Sequence, residues 1–414
     1  MQLLWIKFKE FMGSKNYEWK RYNLPLVMVV LLLCIISIFT LWVIGSGMNK
    51  TADYRKQILG TGVGLVMMLT ISLIDYHFLC RFVIVYYVII TGLVAATRFS
   101  PIGTDLDTQA FRWISLPGFN LQPSELCKVM VILVLAVLLT KFNNKMDSVI
   151  PLIAAVIVTV IPVSFIMMQP DLSSSLVVIF VMAMMVFAAG LAYKIIVPVV
   201  IVMIPTVIGL FWYVLHQPEE GGLLKPYQVG RIAGFLDPDK YPNAMFQQNN
   251  SIDAISSGKL YGKFILGGVS DVRNYNKVDV TESDFIWSAI GEEFGFIGSV
   301  AIVAVLFVFI ILCLLVVKNA IDNLGRLIAI GIASMFMFQV FANIGVATRM
   351  LPNTGLPLPF ISSGLSSHIT YMLAVGILLN IGIQPASKAL GKGFLIRNNT
   401  HQLSDLKYDP DITE

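Results

Sequence analysis

The chain has 414 residues, of which 57% are hydrophobic and only 13% charged, and its mean hydropathy is +0.78. So little charge over such a length excludes an ordinary soluble globular domain, and a net charge of only +4 makes the distribution of charge more informative than its size. The four cysteines, Cys34, Cys80, Cys127 and Cys313, lie in or beside apolar runs with no CxxC pairing, which argues against a disulfide framework or a zinc site.

Ten apolar runs of about 20 residues follow one another along the chain, each long enough to cross a hydrocarbon core as a helix. They lie near 24–44, 58–75, 78–97, 124–139, 149–168, 171–190, 195–215, 294–317, 327–349 and 366–383. The least distinct divisions fall at 75–81 and 169–171, where the turns are short. The predicted fold is an all-α integral membrane protein of about ten transmembrane helices, with a large loop between helices 7 and 8. It divides into a polar leader at 1–23, a membrane domain at 24–383 with its large loop at 216–283, and a tail at 384–414. The first run is too long for the apolar core of a signal peptide and is expected to be retained.

An even number of spans puts both ends on one side. Lys/Arg counts choose that side. With the N-terminus inside, the inner segments carry Lys7, Lys9, Lys15, Lys20, Arg21, Arg81, Lys141, Lys145, Lys194, Lys318, Arg326 and the basic residues of the tail. The short outer loops carry only Lys50, Arg55, Lys56, Arg98, Arg112 and Arg349. Both ends are therefore expected in the cytosol, and the large loop outside the cell membrane. Three expected outer segments stand out. Residues 98–123 hold the cluster Phe111-Arg112-Trp113, residues 216–283 are too long for a simple turn, and residues 351–367 are punctuated by Pro352, Gly355, Pro357, Pro359 and Gly364.

Asp284, in Glu282-Ser283-Asp284-Phe285-Ile286-Trp287, sits where the large loop meets a span. Two compatible roles fit it: a helix-start carboxylate stabilised by free N–H groups, or a general base. Glu292 falls within about a quarter-turn of the Asp284 face if the segment is helical, and is the better of Glu292 and Glu293 to share its cavity. Glu125 and Lys128 are spaced i,i+3, either as an ion pair that lets the segment enter lipid or as cavity-lining charges. Ser124 is a candidate cap of that helix. Asp171, in Gln169-Pro170-Asp171-Leu172, reads first as an N-cap. Gln339 and Asn343 read as interhelical hydrogen-bond partners, and Trp113 as an interface anchor. His77 and His216 have no metal-ligand spacing. No P-loop, dinucleotide fingerprint or nucleic-acid module appears, so neither an organic cofactor nor nucleic acid is expected.

Several stretches together resemble the SEDS family (shape, elongation, division and sporulation), whose members include RodA and FtsW. They are Arg112-Trp113-Ile114; Gln122-Pro123-Ser124-Glu125-Leu126-Cys127-Lys128; Gln169-Pro170-Asp171-Leu172; Arg231 with Phe235-Leu236-Asp237-Pro238; Ser283-Asp284-Phe285-Ile286 with Gly291-Glu292-Glu293-Phe294-Gly295; and the run from Leu351 to Ser362. The resemblance implies ten transmembrane helices and a peptidoglycan glycosyltransferase that polymerises lipid II. It implies that Asp284 is the essential acid and that Trp113, Glu125 and Lys128 matter for activity. A class B penicillin-binding protein, a single-span transpeptidase, is the implied partner, alongside other elongation or division proteins and membrane lipid. The pattern departs at Ser363 and Leu365, at Ser173, and at 244–251 in the large loop, which bears on loop geometry and substrate fit. Gly262-Lys263 leans toward RodA, whereas Ile290-Gly291-Glu292-Glu293 leans toward FtsW, and the expectation is a RodA-like protein of cell elongation, with division or sporulation as the alternatives.

The expected chemistry is an inverting transfer. Asp284 takes the proton of an acceptor GlcNAc 4-hydroxyl, which attacks C1 of the donor MurNAc, and undecaprenyl pyrophosphate leaves. Lys128, Arg112, Arg231 and a divalent cation (Mg or Mn) are candidates for the charge on the leaving group, although no metal-ligand set is legible. The rival readings are a flippase for lipid-linked precursors and a non-catalytic scaffold.

Overall fold

The computed structural model describes residues 17–48, 54–104, 111–116, 119–216, 226–238, 241–266 and 272–384. Most of the expected leader (1–16) and nearly all of the expected tail (385–414) lie outside the described residues.

In lipid every backbone N–H must bond within the protein, which turns apolar runs of this length into helices. The helices are α1 (Leu24–Met48), α2 (Tyr54–Ser72), α3 (Tyr76–Arg81), α4 (Val83–Phe99), α5 (Pro123–Lys141), α6 (Ile150–Met168), α7 (Leu172–Ala188), α8 (Tyr193–His216), α9 (Pro226–Leu236), α10 (Pro242–Ser257), α11 (Lys263–Leu266), α12 (Ile286–Asn319), α13 (Asn323–Ala347) and α14 (Leu365–Ile383). Each of the ten expected spans falls on one of them. Among the described residues, six helices are long and apolar enough to cross a membrane by length and composition, and α4, α7 and α8 contain shorter apolar stretches. This is an all-α membrane protein.

Local chemistry sets the ends. Pro123 and Pro151 open α5 and α6, where a missing N–H costs nothing. Asp75, Asp171 and Asp322 cap α3, α7 and α13 by accepting from the N–H groups of His77, Ser174 and Gly325. The third span differs from expectation: Asp75 starts a separate short helix, and a break at Phe82 delays the span proper until Val83.

The large loop is not open coil, since it carries α9, α10 and α11. The last two pack on the start of α12. That helix is two helices joined at Gly295, whose φ of 66° and ψ of −164° are closed to other residues. A Cβ there would lie 2.3 Å from the Gly262 nitrogen. The second half starts beside the expected boundary at 294, and its first N–H groups are satisfied by the loop: Phe296 donates to the Lys259 carbonyl at 2.9 Å and Ile297 to that of Leu260 at 3.1 Å.

Helices α5, α13 and α14 form the most enclosed part of the bundle. Helix α14 packs along α2, and α13 packs against α12, α7 and α5. Between α4 and α5, a small antiparallel sheet orders β1 (Gly103–Thr104), β2 (Trp113–Leu116) and β3 (Phe119–Leu121), with Thr104 opposite Trp113 and Ile114 opposite Leu121.

Candidate active site

Asp284 lies in the turn that precedes α12. The cap position of that helix belongs to Phe285, which makes no side-chain cap, so the Asp284 carboxylate is not used to end a helix. Its main chain is held instead. Asn343 Nδ2 donates to the Asp284 carbonyl at 2.8 Å and to that of Leu356 at 2.7 Å. Ser362 Oγ donates to the Ser283 carbonyl at 2.5 Å, and the Ser363 N–H donates to that of Glu282 at 2.8 Å. The Pro/Gly-punctuated segment 351–364 thus fixes residues 282–284 from the side. Gly355, at φ 69°, faces the carboxylate: a Cβ there would come within 3.0 Å of Asp284 Oδ2.

Asp284 keeps part of its surface open, yet its carboxyl is deep enough for burial to push its pKa up. A hydrogen bond from Ser283 and the charges of Arg112 and Arg231 oppose that rise, while Asp171 adds to it. The net direction is upward, toward the range where a carboxylate serves as a base near neutral pH.

The surrounding groups come from several helix N-termini. Asp171 Oδ2 accepts from Gln122 Nε2 at 3.3 Å, Ser124 Oγ at 3.2 Å and Ser174 Oγ at 2.8 Å. Ser124 therefore joins α5 to α7 and does not cap α5, whose cap position is Gln122. The Gln122 N–H donates to Ser366 Oγ at 3.0 Å and brings the start of α14 alongside. Ser173 Oγ donates to the Thr354 carbonyl, which also accepts from Arg231 Nη1 at 3.4 Å. One turn into α5, Lys128 Nζ meets Glu125 Oε1 at 2.7 Å, with both side chains almost wholly enclosed.

Hydrogen-bonding capacity is left over around this site. Among the described residues, Arg112 Nε, Glu125 Oε2, Asn343 Oδ1 and Thr354 Oγ1 are buried without a protein partner. Buried polar groups are normally paired, so these unpaired atoms fit a site that receives polar groups from a ligand or water.

One expectation is corrected by the geometry. Glu292 is completely buried and faces the large loop: it accepts from Lys263 Nζ at 2.5 Å, Ser257 Oγ at 2.9 Å and the N–H groups of Asn274 and Tyr275 at 2.9 and 2.8 Å. The helical spacing that placed the two together fails because Asp284 is outside the helix. No group of three or more His, Cys, Asp or Glu among the described residues is arranged to hold a metal ion. Trp113 is half-buried in β2, directly after Arg112. Ser173, Thr354, Gly355 and Ser362 were not singled out for the site. The cluster of prolines and glycines at 351–364 was the available signal for the last three.

The family model described as "Cell cycle protein", which covers FtsW, RodA and SpoVE, matches residues 20–386. The chain belongs to this family, the SEDS proteins. A probable peptidoglycan glycosyltransferase FtsW of Trichlorobacter lovleyi is 32% identical to this SEDS protein, over 89% of this chain and 94% of that one. The stage V sporulation protein E of Bacillus subtilis is 30% identical over 87% and 96%, and the peptidoglycan glycosyltransferase RodA of Treponema pallidum 28% identical over 86% and 96%. A solved structure described as "structural coordination of polymerization and crosslinking by a peptidoglycan synthase complex" superposes with a TM-score of 0.73 at 25% identity, over 88% of this chain and 98% of that chain. The crystal structure of the Thermus thermophilus rod shape determining protein RodA superposes with a TM-score of 0.62 at 23% identity, over 88% and 97%, a likeness of fold.

Proposed function

We infer that this SEDS protein is a peptidoglycan glycosyltransferase that polymerises lipid II by inverting transfer, with Asp284 as general base. The observation that carries the reading is the carboxylate itself. It is uncapped and partly open, its main chain is pinned by Asn343, and it lies within the electrostatic reach of Arg112 and Arg231. A base held in this way removes the acceptor 4-hydroxyl proton as the oxygen attacks C1 of the donor, and contributes about 10²–10⁴ in rate. The C1–O bond to pyrophosphate breaks, and the electron pair leaves with the undecaprenyl pyrophosphate. Glycosidases need a second carboxyl to protonate a poor leaving group, whereas pyrophosphate departs without one. Arg112 and Arg231 are placed in this reading to meet its charge, with Lys128 deeper in the site. A Mg or Mn ion, were one bound with the substrate, would supply further stabilisation of the charge on the leaving pyrophosphate.

FtsW-, SpoVE- and RodA-named relatives match at similar identity, so the reading concerns the shared chemistry and not one cellular process. The distribution of basic residues supports a topology with both ends in the cytosol and the site at the outer face of the cell membrane. The synthase complex among the structural relatives supports a class B penicillin-binding protein as partner. Labelled lipid II in detergent, supplied to the protein purified with its partner, tests the reading. The polymerase makes glycan chains there. A flippase has no membrane to work across and a scaffold has no chemistry, so absence of chains in that mixture would favour them.

A further inference from the structure

Helix α2 presents Gln57, Gly60, Thr61 and Gly64 along one buried face, at the i, i+3, i+4, i+7 spacing of a helix stripe. The two glycines let α14 approach: a Cβ at Gly60 would lie 2.3 Å from Leu365 Cδ1, and one at Gly64 2.8 Å from Met372 Cγ. The close approach brings His368 of α14 against that face. His368 is 1% exposed, an ionisable group among packed helices, and such groups mark functional pathways more often than not.

Its hydrogen bonds have a direction. Gln57 Nε2 approaches His368 Nδ1 at 3.4 Å and Ser37 Oγ at 3.1 Å, and an amide nitrogen only donates. Nδ1 is therefore the acceptor, and the ring proton lies on Nε2, 3.3 Å from Thr61 Oγ1 with Cys34 Sγ at 3.9 Å. Ser37 Oγ then donates to the Ile361 carbonyl at 2.7 Å. Ile361 follows Phe360, which is held at φ 62° and whose ring meets the His368 ring edge-on at 6.0 Å. The next residue is Ser362, which accepts from the Leu358 N–H at 2.8 Å and donates to the Ser283 carbonyl.

We propose that His368 is a positioning residue for catalysis: through Gln57 and Ser37 it sets the 360–362 turn, and the turn sets the main chain at Ser283 and with it the Asp284 carboxylate. The inference rests on Asp284 acting as the base. His368 itself does not contact substrate. Hydrogen bonds lead from the ring through Gln57 and Ser37 to the Ile361 carbonyl, the Ile361–Ser362 peptide bond carries the link onward, and Ser362 Oγ bonds the residue before the base, with an unfavourable backbone angle retained at Phe360 beside it. Misplacing a reacting group by about 1 Å costs on the order of 10²-fold.

The test is steady-state polymerisation of labelled lipid II by the protein purified with its partner. His368→Leu is expected to lower kcat at least tenfold while KM stays within about twofold and the unfolding temperature is held. His368→Asn, whose side-chain oxygen falls near the Nδ1 position, is expected to recover most of kcat. Ser37→Ala cuts the series midway, between Gln57 and the Ile361 carbonyl, and is expected to reproduce the kcat loss. Full kcat in either His368→Leu or Ser37→Ala overturns the proposal. So does a loss in His368→Leu that follows the fraction of unfolded protein and is not recovered by Asn. Asp284→Asn is run beside them. Activity in that variant removes the base reading, whereas activity in His368→Leu alone removes only the positioning role.

Discussion

Lys128→Met separates the two roles open to the Glu125–Lys128 pair. The charged atoms are 2.7 Å apart and the side chains are 1% and 3% exposed, so water screens them little. At an effective dielectric of about 20 their attraction is about 6 kcal/mol, set against a desolvation cost of several kcal/mol for each ion. Removing one partner forfeits the attraction and leaves the other desolvated, a net loss of about 3–5 kcal/mol. Glu125 Oε2 already lacks a protein partner, so the stranded carboxylate has little to fall back on. Replacing both, as Glu125→Leu with Lys128→Met, removes both desolvation costs and is expected to restore stability to within about 1 kcal/mol. Unfolding in mixed SDS micelles reads the stability, and lipid II polymerisation reads the function. The expected pattern is a destabilised single variant, a restored double variant, and low activity in both. A single variant as stable as the parent would refute the packing argument. A double variant with full activity would show that the pair serves the fold alone.

Glu292→Gln removes the charge that gathers Lys263, Ser257 and the backbone at Asn274 and Tyr275, and is expected to loosen the large loop without touching the base. Faster hydrogen exchange across residues 258–277 is the expected readout, and unchanged exchange counts against it. Arg231→Gln withdraws a charge that holds the Asp284 pKa down, so the acid limb of kcat/KM should move to higher pH. A limb that stays in place would mean that Asp284 is not the group being titrated. His77 sits between Asp75 at 2.8 Å and Asp322 at 2.7 Å. Burial lowers its pKa, but the hydrogen bonds to Asp322 and Asp75 outweigh burial and raise it to about 9. Because the folded value exceeds the unfolded one, its stabilisation is complete below about pH 6.5 and fades as pH rises through about 9. Unfolding temperature measured against pH should lose this slope in His77→Gln, and an unchanged slope contradicts the assignment.

The membrane helices were legible because a span must be about 20 apolar residues long, and that constraint is written directly in the sequence. Gly295 was legible only as a boundary. That it breaks a continuous helix depends on Gly262 meeting it from the loop, a contact between distant residues. The Glu125–Lys128 pair follows from i,i+3 spacing alone, and the Asp171 cap from its place before α7. Glu292 was misplaced because one residue of helix start decides the face. With Phe285 at the cap, Asp284 is off the helix and its angular relation to Glu292 has no meaning. The partners of Glu292 lie 17 to 35 residues away in the loop, beyond the reach of any local pattern. Likewise, the hold of Asn343 and Ser362 on residues 283–284 is tertiary, across separations of 59 and 79 residues.

The most direct measurement is chain formation from labelled lipid II by Asp284→Asn, purified with the same partner and compared with the parent at equal folded concentration. Asparagine keeps the size of the side chain and one acceptor oxygen but cannot take up the hydroxyl proton. The account predicts no glycan polymer while the unfolding temperature is unchanged. Polymer made at the parental rate would mean that the proton leaves by another group.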